Sequence, residues 1–284
     1  MVAKARTPFQ PVVLFTPETD ADKLAVRQVY TLQEELRSSM DSERSAQQTI
    51  GISEIGDDCL RCLARKISGI YIKEQSANWQ AHVGTLMHTG FEEYFGNKFG
   101  RYNLESRKCE PANEPTDETP AYHMETKLVI REFKNFTLAG SCDMYMEGAT
   151  FGLVDDWKTK TLAKLKDAAS GKIESKNRIQ IMTYGLGWAL MGHKVTHVVI
   201  YSLPRDGDLD AAKPILMRWD PTEAIERLAL IENLIDTAEI MDGAFPGHGW
   251  EKVILSQDRA GHCFDCEKYE KLESDSFLSN LTGN

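Results

Sequence analysis

The sequence predicts an α/β domain built on a mixed central sheet, with the two ends of the chain drawn together. Three observations carry this expectation. Helical patterning before residue 100 gives way to three short β-rich segments, then to a helix, a strand and further elements. The β-rich segments are separated by turn-like KN and EGAT, so they read as an antiparallel meander. Two C-x-x-C pairs, CLRC and CFDC, stand roughly 200 residues apart, the pattern of a metal or cluster site in a reducing compartment rather than of disulfides.

Residues 1–20 hold three prolines and read as an extended lead-in. Residues 21–45 carry Leu24, Val26, Val29, Tyr30, Leu32 and Leu36 in an imperfect helical pattern. The stretch 51–75, with the first cysteine pair, also reads as helical. A third helix is expected over 78–97, with Trp79, Val83, Leu86, Met87, Phe91 and Phe95 on its apolar side. PANEPTDETP (111–120) is a loop by composition. The period then changes, and ETKLVIREF (125–133), FTLAGSCDMYMEG (136–148) and FGLVDDWKTK (151–160) are expected strands. A basic, alanine-rich segment leads to a helix over 174–192, stopped by Gly192. Strands follow at 195–203 and in PILMRW, and Asp220-Pro221 opens an amphipathic helix over 221–242. The expected organisation is an N-terminal extension and helix at 1–50, the principal domain at 51–270 and a tail at 271–284.

The composition, 42% hydrophobic and 27% charged over 284 residues, is that of a soluble globular protein. No stretch approaches the roughly 18 apolar residues of a membrane span, and the N-terminus lacks an apolar core of signal-peptide length. The expectation is a cytoplasmic protein with no membrane partner. A net charge of −10 argues against bulk attraction to nucleic acid. Locally the balance reverses, because seven basic residues between Lys158 and Arg178 face only Asp167 and Glu174. Such a run reads either as a solvated helix face or as a basic surface. The chain has no G-x-x-x-x-G-K-[ST] loop and so no nucleotide-driven motor of its own.

The residues with the most chemistry lie in GLVDDWKTK. Side chains alternate along a strand, so Asp156 and Lys158 share one face while Asp155 and Trp157 take the other. If this strand pairs with its predecessor through EGAT, Asp143 approaches Asp156. Two converging carboxylates suit a hard cation such as Mg²⁺, and an adjacent lysine can hold a water and offset charge developing on a phosphate. Taken alone, Asp-x-Lys reads as a structural ion pair at a strand end. Gly140-Ser141-Cys142, just before Asp143, is small enough to leave room for a ligand. His88, on the third helix, is a packing histidine or a metal ligand. Gln180 and Tyr184 stand four apart on one helix face and decorate it or hydrogen-bond a substrate or the lysine. Cys59, Cys62, Cys263 and Cys266 suit a structural zinc by spacing, and thiolates also hold iron–sulfur clusters. Cys109 and Cys142 have no partner spacing and read as packing residues.

In order, Gly-Thr-Leu-Met-His88, Gly-Ser-Cys-Asp143, Asp156-Trp-Lys158-Thr and Gln180-Ile-Met-Thr-Tyr184 resemble the signature of RecB-type nucleases in the PD-(D/E)XK superfamily. SEIGDDCLRC (53–62) is similar to the cysteine-bearing segment of the iron–sulfur subset, which includes the AddB nuclease domain and the CRISPR-associated RecB-like exonucleases. The resemblance implies a restriction-endonuclease-like core and a divalent metal, Mg²⁺ or Mn²⁺, bound by His88, Asp143, Asp156 and the Trp157 carbonyl. It implies that Lys158 positions or activates the attacking water, with Gln180 and Tyr184 orienting it and meeting DNA. It also implies a [4Fe–4S] cluster. That subset has one early and three late cysteines where this chain has two and two, and zinc is the alternative. The function expected is a metal-dependent exonuclease acting on DNA that is single-stranded or has free ends, in recombination, repair or replication, with proteins of those processes as partners. The alternatives are a structure- or sequence-specific endonuclease of the same fold, or a cysteine-stapled DNA-binding or assembly module without catalysis.

Overall fold

The computed structural model describes residues 16, 18–20, 49–69, 79–99, 102–103, 108–109, 115–117, 120–206, 208–261, 263 and 266–267. The expected helix over 21–45 and the tail at 271–284 lie outside these residues. The chain divides into two compact units, Met1–Ala46 with Lys73–Thr85, and Gln47–Ile72 with Leu86–Asn284. The described part of the first consists of residues 16, 18–20 and 79–85, the last of these opening a helix. All that follows concerns the second.

In chain order the elements are β1 (Thr49–Gly51), a 3₁₀ turn (Ile52–Glu54), α1 (Leu60–Ser68), α2 (Trp79–Phe99), β2 (Tyr102–Asn103), β3 (Lys108–Cys109), β4 (Ala121–Glu132), β5 (Thr137–Glu147) and β6 (Gly152–Lys160). There follow α3 (Leu162–Ala169), α4 (Ser175–Leu190), β7 (His197–Pro204), β8 (Lys213–Arg218), α5 (Thr222–Ala244) and α6 (Gly249–Ser256). The expected meander is present: β4, β5 and β6 pair antiparallel in sequence order. β6 then pairs parallel with β7, and β7 antiparallel with β8, which makes the sheet mixed.

Two expectations need correction. Residues 51–75 are not one helix: Gly51 closes β1, a 3₁₀ turn follows, and α1 begins only at Leu60. Ile52 and Ile55 are fully buried on the sheet, and that packing overrides the local helical pattern. The small side chains before Asp143 do not open space for a ligand. A Cβ on Gly140 would meet Ile52 at 3.3 Å, and Cys142 is fully buried, so the gap is filled by the 3₁₀ turn. Helix α6 was not foreseen, and β4 begins four residues earlier than expected.

Helices cover both faces of the sheet. On one face the main core joins Leu128, Leu138, Tyr145, Val154 and Ile200 to Ile181, Trp188 and Ile231 of α4 and α5. Helix α4 lies close to β4 because Gly187 has no side chain; a Cβ there would meet Ile130 at 2.7 Å and Leu128 at 3.0 Å. On the other face Met124, Met144, Trp157 and Leu203 form a smaller cluster under Met87, Phe91 and Phe95 of α2.

The feature that positions the site is a fork in the sheet. β5 and β6 pair only from Glu147↔Gly152 to Met144↔Asp155. Beyond that point β5 takes β1 as its neighbour, through Thr49↔Thr137 to Gly51↔Ala139, while β6 runs on beside β7. Unpaired backbone groups inside a protein need partners, and at the fork polar side chains supply them.

Candidate active site

Asp143 stands at the mouth of the fork. Its Oδ2 accepts the Trp157 backbone N–H at 2.6 Å, replacing the ladder bond that the parting strands give up. Its Oδ1 lies 3.3 Å from His88 Nδ1, and Glu125 Oε1 lies 3.7 Å from the same nitrogen. The other ring nitrogen, Nε2, is 3.1 Å from the Trp157 carbonyl. A carbonyl can only accept, so Nε2 carries a hydrogen. The His88 ring also meets the Trp157 indole edge-on at 5.7 Å, which fixes its plane. Burial alone would lower the His88 pKa, but the two carboxylates outweigh it and raise it to about 10.

The neighbouring pair is Asp156 and Lys158. Lys158 Nζ donates to Asp156 Oδ1 at 2.9 Å. Asp156 is 1% exposed and its Oδ2 has no hydrogen-bond partner in the structure. Burial raises its pKa to about 6 although the ammonium of Lys158 pulls it down. Burial likewise opposes the charge on Lys158, and Asp156 with Asp143 restores it, leaving the ammonium above its ordinary range. Gln180 Nε2 donates to the Tyr184 hydroxyl at 3.2 Å, both side chains being buried. Burial and the nearby charges of Asp156 and Asp143 raise the Tyr184 phenol. The structure thus brings His88, Asp143 and the Trp157 carbonyl into contact, pairs Asp156 with Lys158, and joins Gln180 to Tyr184.

Sequence reasoning missed Glu125. Read as the first residue of a strand it looks like ordinary polar decoration, and its spacing gives no signal. In the structure it lies within β4 and, with His88 and Asp143, offers three donor atoms within 4.8 Å of one another. Burial raises its carboxyl pKa although His88 lowers it. Asp155, on the face away from Asp156, is 3% exposed with Oδ1 unpartnered, and burial holds its carboxyl well above the usual range.

The second cluster joins distant parts of the chain. Cys59 caps the N-terminus of α1 and Cys62 follows in its first turn. Cys59 Sγ lies 3.5 Å from Cys266 Sγ, and Cys62 Sγ lies 3.4 Å from both Cys263 and Cys266. These separations are far from the roughly 2.05 Å of a disulfide. They are near the roughly 3.8 Å that a tetrahedral ion with 2.3 Å thiolate bonds sets between its ligands. Arg65, 2% exposed, points Nη1 at Cys266 Sγ from 3.8 Å, a buried cation suited to anionic sulfur. Burial raises Cys62 and takes Cys266 to about 11; at Cys59 burial acts the same way, but hydrogen bonds from the Ala260 and Cys62 backbone reverse it. The four cysteines fit one metal ion and hold the N- and C-terminal segments of this unit together. Cys142 is a buried packing residue, as expected; the side chain of Cys109 lies outside the described set.

No family model matches the chain, and no curated protein matches it. Among solved structures it is similar to LHK-Exo, an alkaline exonuclease from Laribacter hongkongensis, solved alone and with dAMP. Identity is 12%, over 75% of this chain and 95% of that one, with a TM-score of 0.44. It is also similar to the protein SSO0001, at 14% identity over 74% of this chain and 85% of that chain, with a TM-score of 0.41. No described helix is long and apolar enough to cross a membrane.

Proposed function

We propose that the protein is a metal-dependent deoxyribonuclease of the PD-(D/E)XK, RecB-like type, acting as an exonuclease on DNA ends. The observation that carries this reading is the arrangement at the fork. His88 and Asp143 are in contact, and the next strand carries Asp156, which has an orphan Oδ2, feels the charges of both and holds the Lys158 ammonium at 2.9 Å. Nitrogen and carboxylate donors with little sulfur suit Mg²⁺ or Mn²⁺. When bound, the cation supplies Lewis acidity at a phosphate oxygen and a more acidic water.

The chain's own groups then divide the remaining work. Asp156 keeps Lys158 charged and fixes its Nζ, so that the ammonium orients a water and balances charge building on the phosphate. Asp143 spends Oδ2 on the Trp157 N–H, which locks β6 against β5 and leaves Oδ1 facing His88. Gln180 and Tyr184 brace the Lys158 side of the fork from α4. The exposed lysines 164, 166, 172 and 176 and Arg178 run along α3 and the start of α4 and offer a path for a phosphate backbone. At the cysteines the reading is one metal centre, a [4Fe–4S] cluster or a zinc ion, held by Cys59, Cys62, Cys263 and Cys266. Recombination, repair or replication is the setting such an activity serves.

The test incubates purified protein with Mg²⁺ or Mn²⁺ on end-labelled linear DNA and on covalently closed circles. Release of nucleotides from linear DNA alone is expected. Cleavage of the circle contradicts the exonuclease reading, and hydrolysis of neither contradicts the nuclease reading.

A further inference from the structure

We infer that Glu125 is a metal ligand of the fork site, completing a triad with His88 Nδ1 and Asp143 Oδ1, and that the Trp157 carbonyl orients His88. This rests on the metal-dependent nuclease reading and departs from the ligand set that the sequence resemblance implies, in which the carbonyl itself binds the metal.

The first support is distance. Ligands at neighbouring positions of an octahedral ion with bonds of about 2.1 Å stand about 3 Å apart, and opposite ones about 4.2 Å. His88 Nδ1 lies 3.3 Å from Asp143 Oδ1 and 3.7 Å from Glu125 Oε1. Glu125 therefore stands at ligand spacing from the imidazole, on its Asp143 side.

The second is the backbone that puts it there. Met124↔Met144 and Thr126↔Cys142 are register partners, so Glu125 faces Asp143 across the two strands. Glu125 has φ +41°, the only positive value at a non-glycine among the described residues. A glutamate in the middle of a strand adopts such a φ only under backbone strain. The side-chain alternation reverses at the same point. Cys142 belongs to the core under α4, and Met144, two residues on, belongs to the cluster under α2. Both strands roll over at the Glu125–Asp143 pair.

The third is the tautomer. His88 Nε2–H donates to the Trp157 carbonyl at 3.1 Å, so neutral His88 turns the Nδ1 lone pair toward Asp143 and Glu125. A metal-bound histidine whose other nitrogen donates to a backbone carbonyl is a recurrent arrangement. That carbonyl then serves as an acceptor for His88, which sets the ring's orientation. Independently, Asp156 Oδ2 is buried without a hydrogen-bond partner on a carboxylate within electrostatic reach of Asp143 and His88. A buried carboxylate oxygen without a hydrogen-bond partner, on a group that feels a second carboxylate, suits a cation.

The test is Mn²⁺ titration of the purified protein with its cysteine site left loaded and its fork site cleared of divalent cation by a mild chelator, followed by calorimetry and by the electron spin resonance of free Mn²⁺. Glu125→Gln keeps size and removes charge; it is expected to weaken Mn²⁺ binding at least roughly tenfold, the scale of losing a supporting metal contact. Affinity equal to that of the wild type overturns the inference. Should Glu125→Gln not fold, Glu125→Asp keeps the charge and draws it back one methylene. Weaker Mn²⁺ binding than wild type is then expected, and unchanged binding again overturns it. Wild-type protein that binds Mn²⁺ yet leaves linear DNA intact would strike the nuclease reading instead, while the titration of the variants would still decide the place of Glu125.

Discussion

The fork and the cysteine centre are both clusters of side chains that could hold a metal ion, built in opposite ways. The cysteine centre draws soft, closely spaced sulfurs from residues 59 to 266 and faces a buried arginine. Its ligands come from segments that meet only when the chain has folded, so its binding energy is folding energy. The fork takes hard donors, mostly from three adjoining strands, and leaves a carboxylate oxygen unpartnered and a glutamate at positive φ. Those costs bring no visible structural gain. A closed, satisfied cluster speaks of stability, and an open, strained one of chemistry.

The sharpest way to break this contrast is to remove one ligand from the satisfied side. Cys266→Ser is expected to unfold the contact of α1 with the C-terminal segment and to cost several kcal/mol, on the scale of a lost structural site. Thermal unfolding of the two proteins would show it. A variant as stable as the wild type would make the cysteines incidental. Metal analysis of the wild type sharpens the same point: one zinc ion or one iron–sulfur cluster per chain is expected, and a protein holding neither would contradict it.

On the fork side the largest structural effect should come from Trp157→Ala. The indole packs edge-on against Phe91 at 5.0 Å and stacks on Phe95 at 6.0 Å, and it is 5% exposed. Its loss should cost about 3–5 kcal/mol and loosen α2, and with it His88. Denaturant titration gives the first effect and Mn²⁺ affinity the second.

A smaller effect separates charge from packing in protein whose fork site holds no divalent cation. The pKa of His88 is raised in the folded state to about 10 from 6.5, so its ion pairing stabilises fully below about pH 6.5 and is lost as pH rises through about 10. The stability difference between the wild type and His88→Gln should shrink across that window. A difference that does not change with pH would mean that His88 acts by packing alone.

The smallest effect concerns DNA grip. Replacing Lys164 and Lys166 with alanine should lower the salt dependence of single-strand binding by about 1.4 in log–log slope, at about 0.7 per phosphate contact. It should leave thermal stability unchanged, since both side chains are exposed.

Much of this architecture was legible in the sequence, for identifiable reasons. The meander followed from β-rich runs between turn residues, and α4 and β7 from strong periodicity. The division of Asp156 from Asp155 followed from strand alternation, which the Lys158–Asp156 contact reflects. The segment around the 3₁₀ turn Ile52–Glu54 reads as helical because Ile52 and Ile55 match a helical stripe, and only the sheet decides otherwise. Glu125 was not legible at all. Its part depends on a fork between strands and on a reversal of alternation, both made by tertiary pairing. The cysteines announced themselves by spacing, whereas their meeting point beside Arg65 depends on the tertiary fold.

The most direct test of the central claim is single-turnover hydrolysis of end-labelled DNA by Lys158→Ala beside the wild type, at equal Mn²⁺ occupancy. The account predicts a loss of roughly a thousandfold, the scale of removing one preorganised charge-stabilising group, with Mn²⁺ binding retained. Equal rates in the two proteins would contradict it.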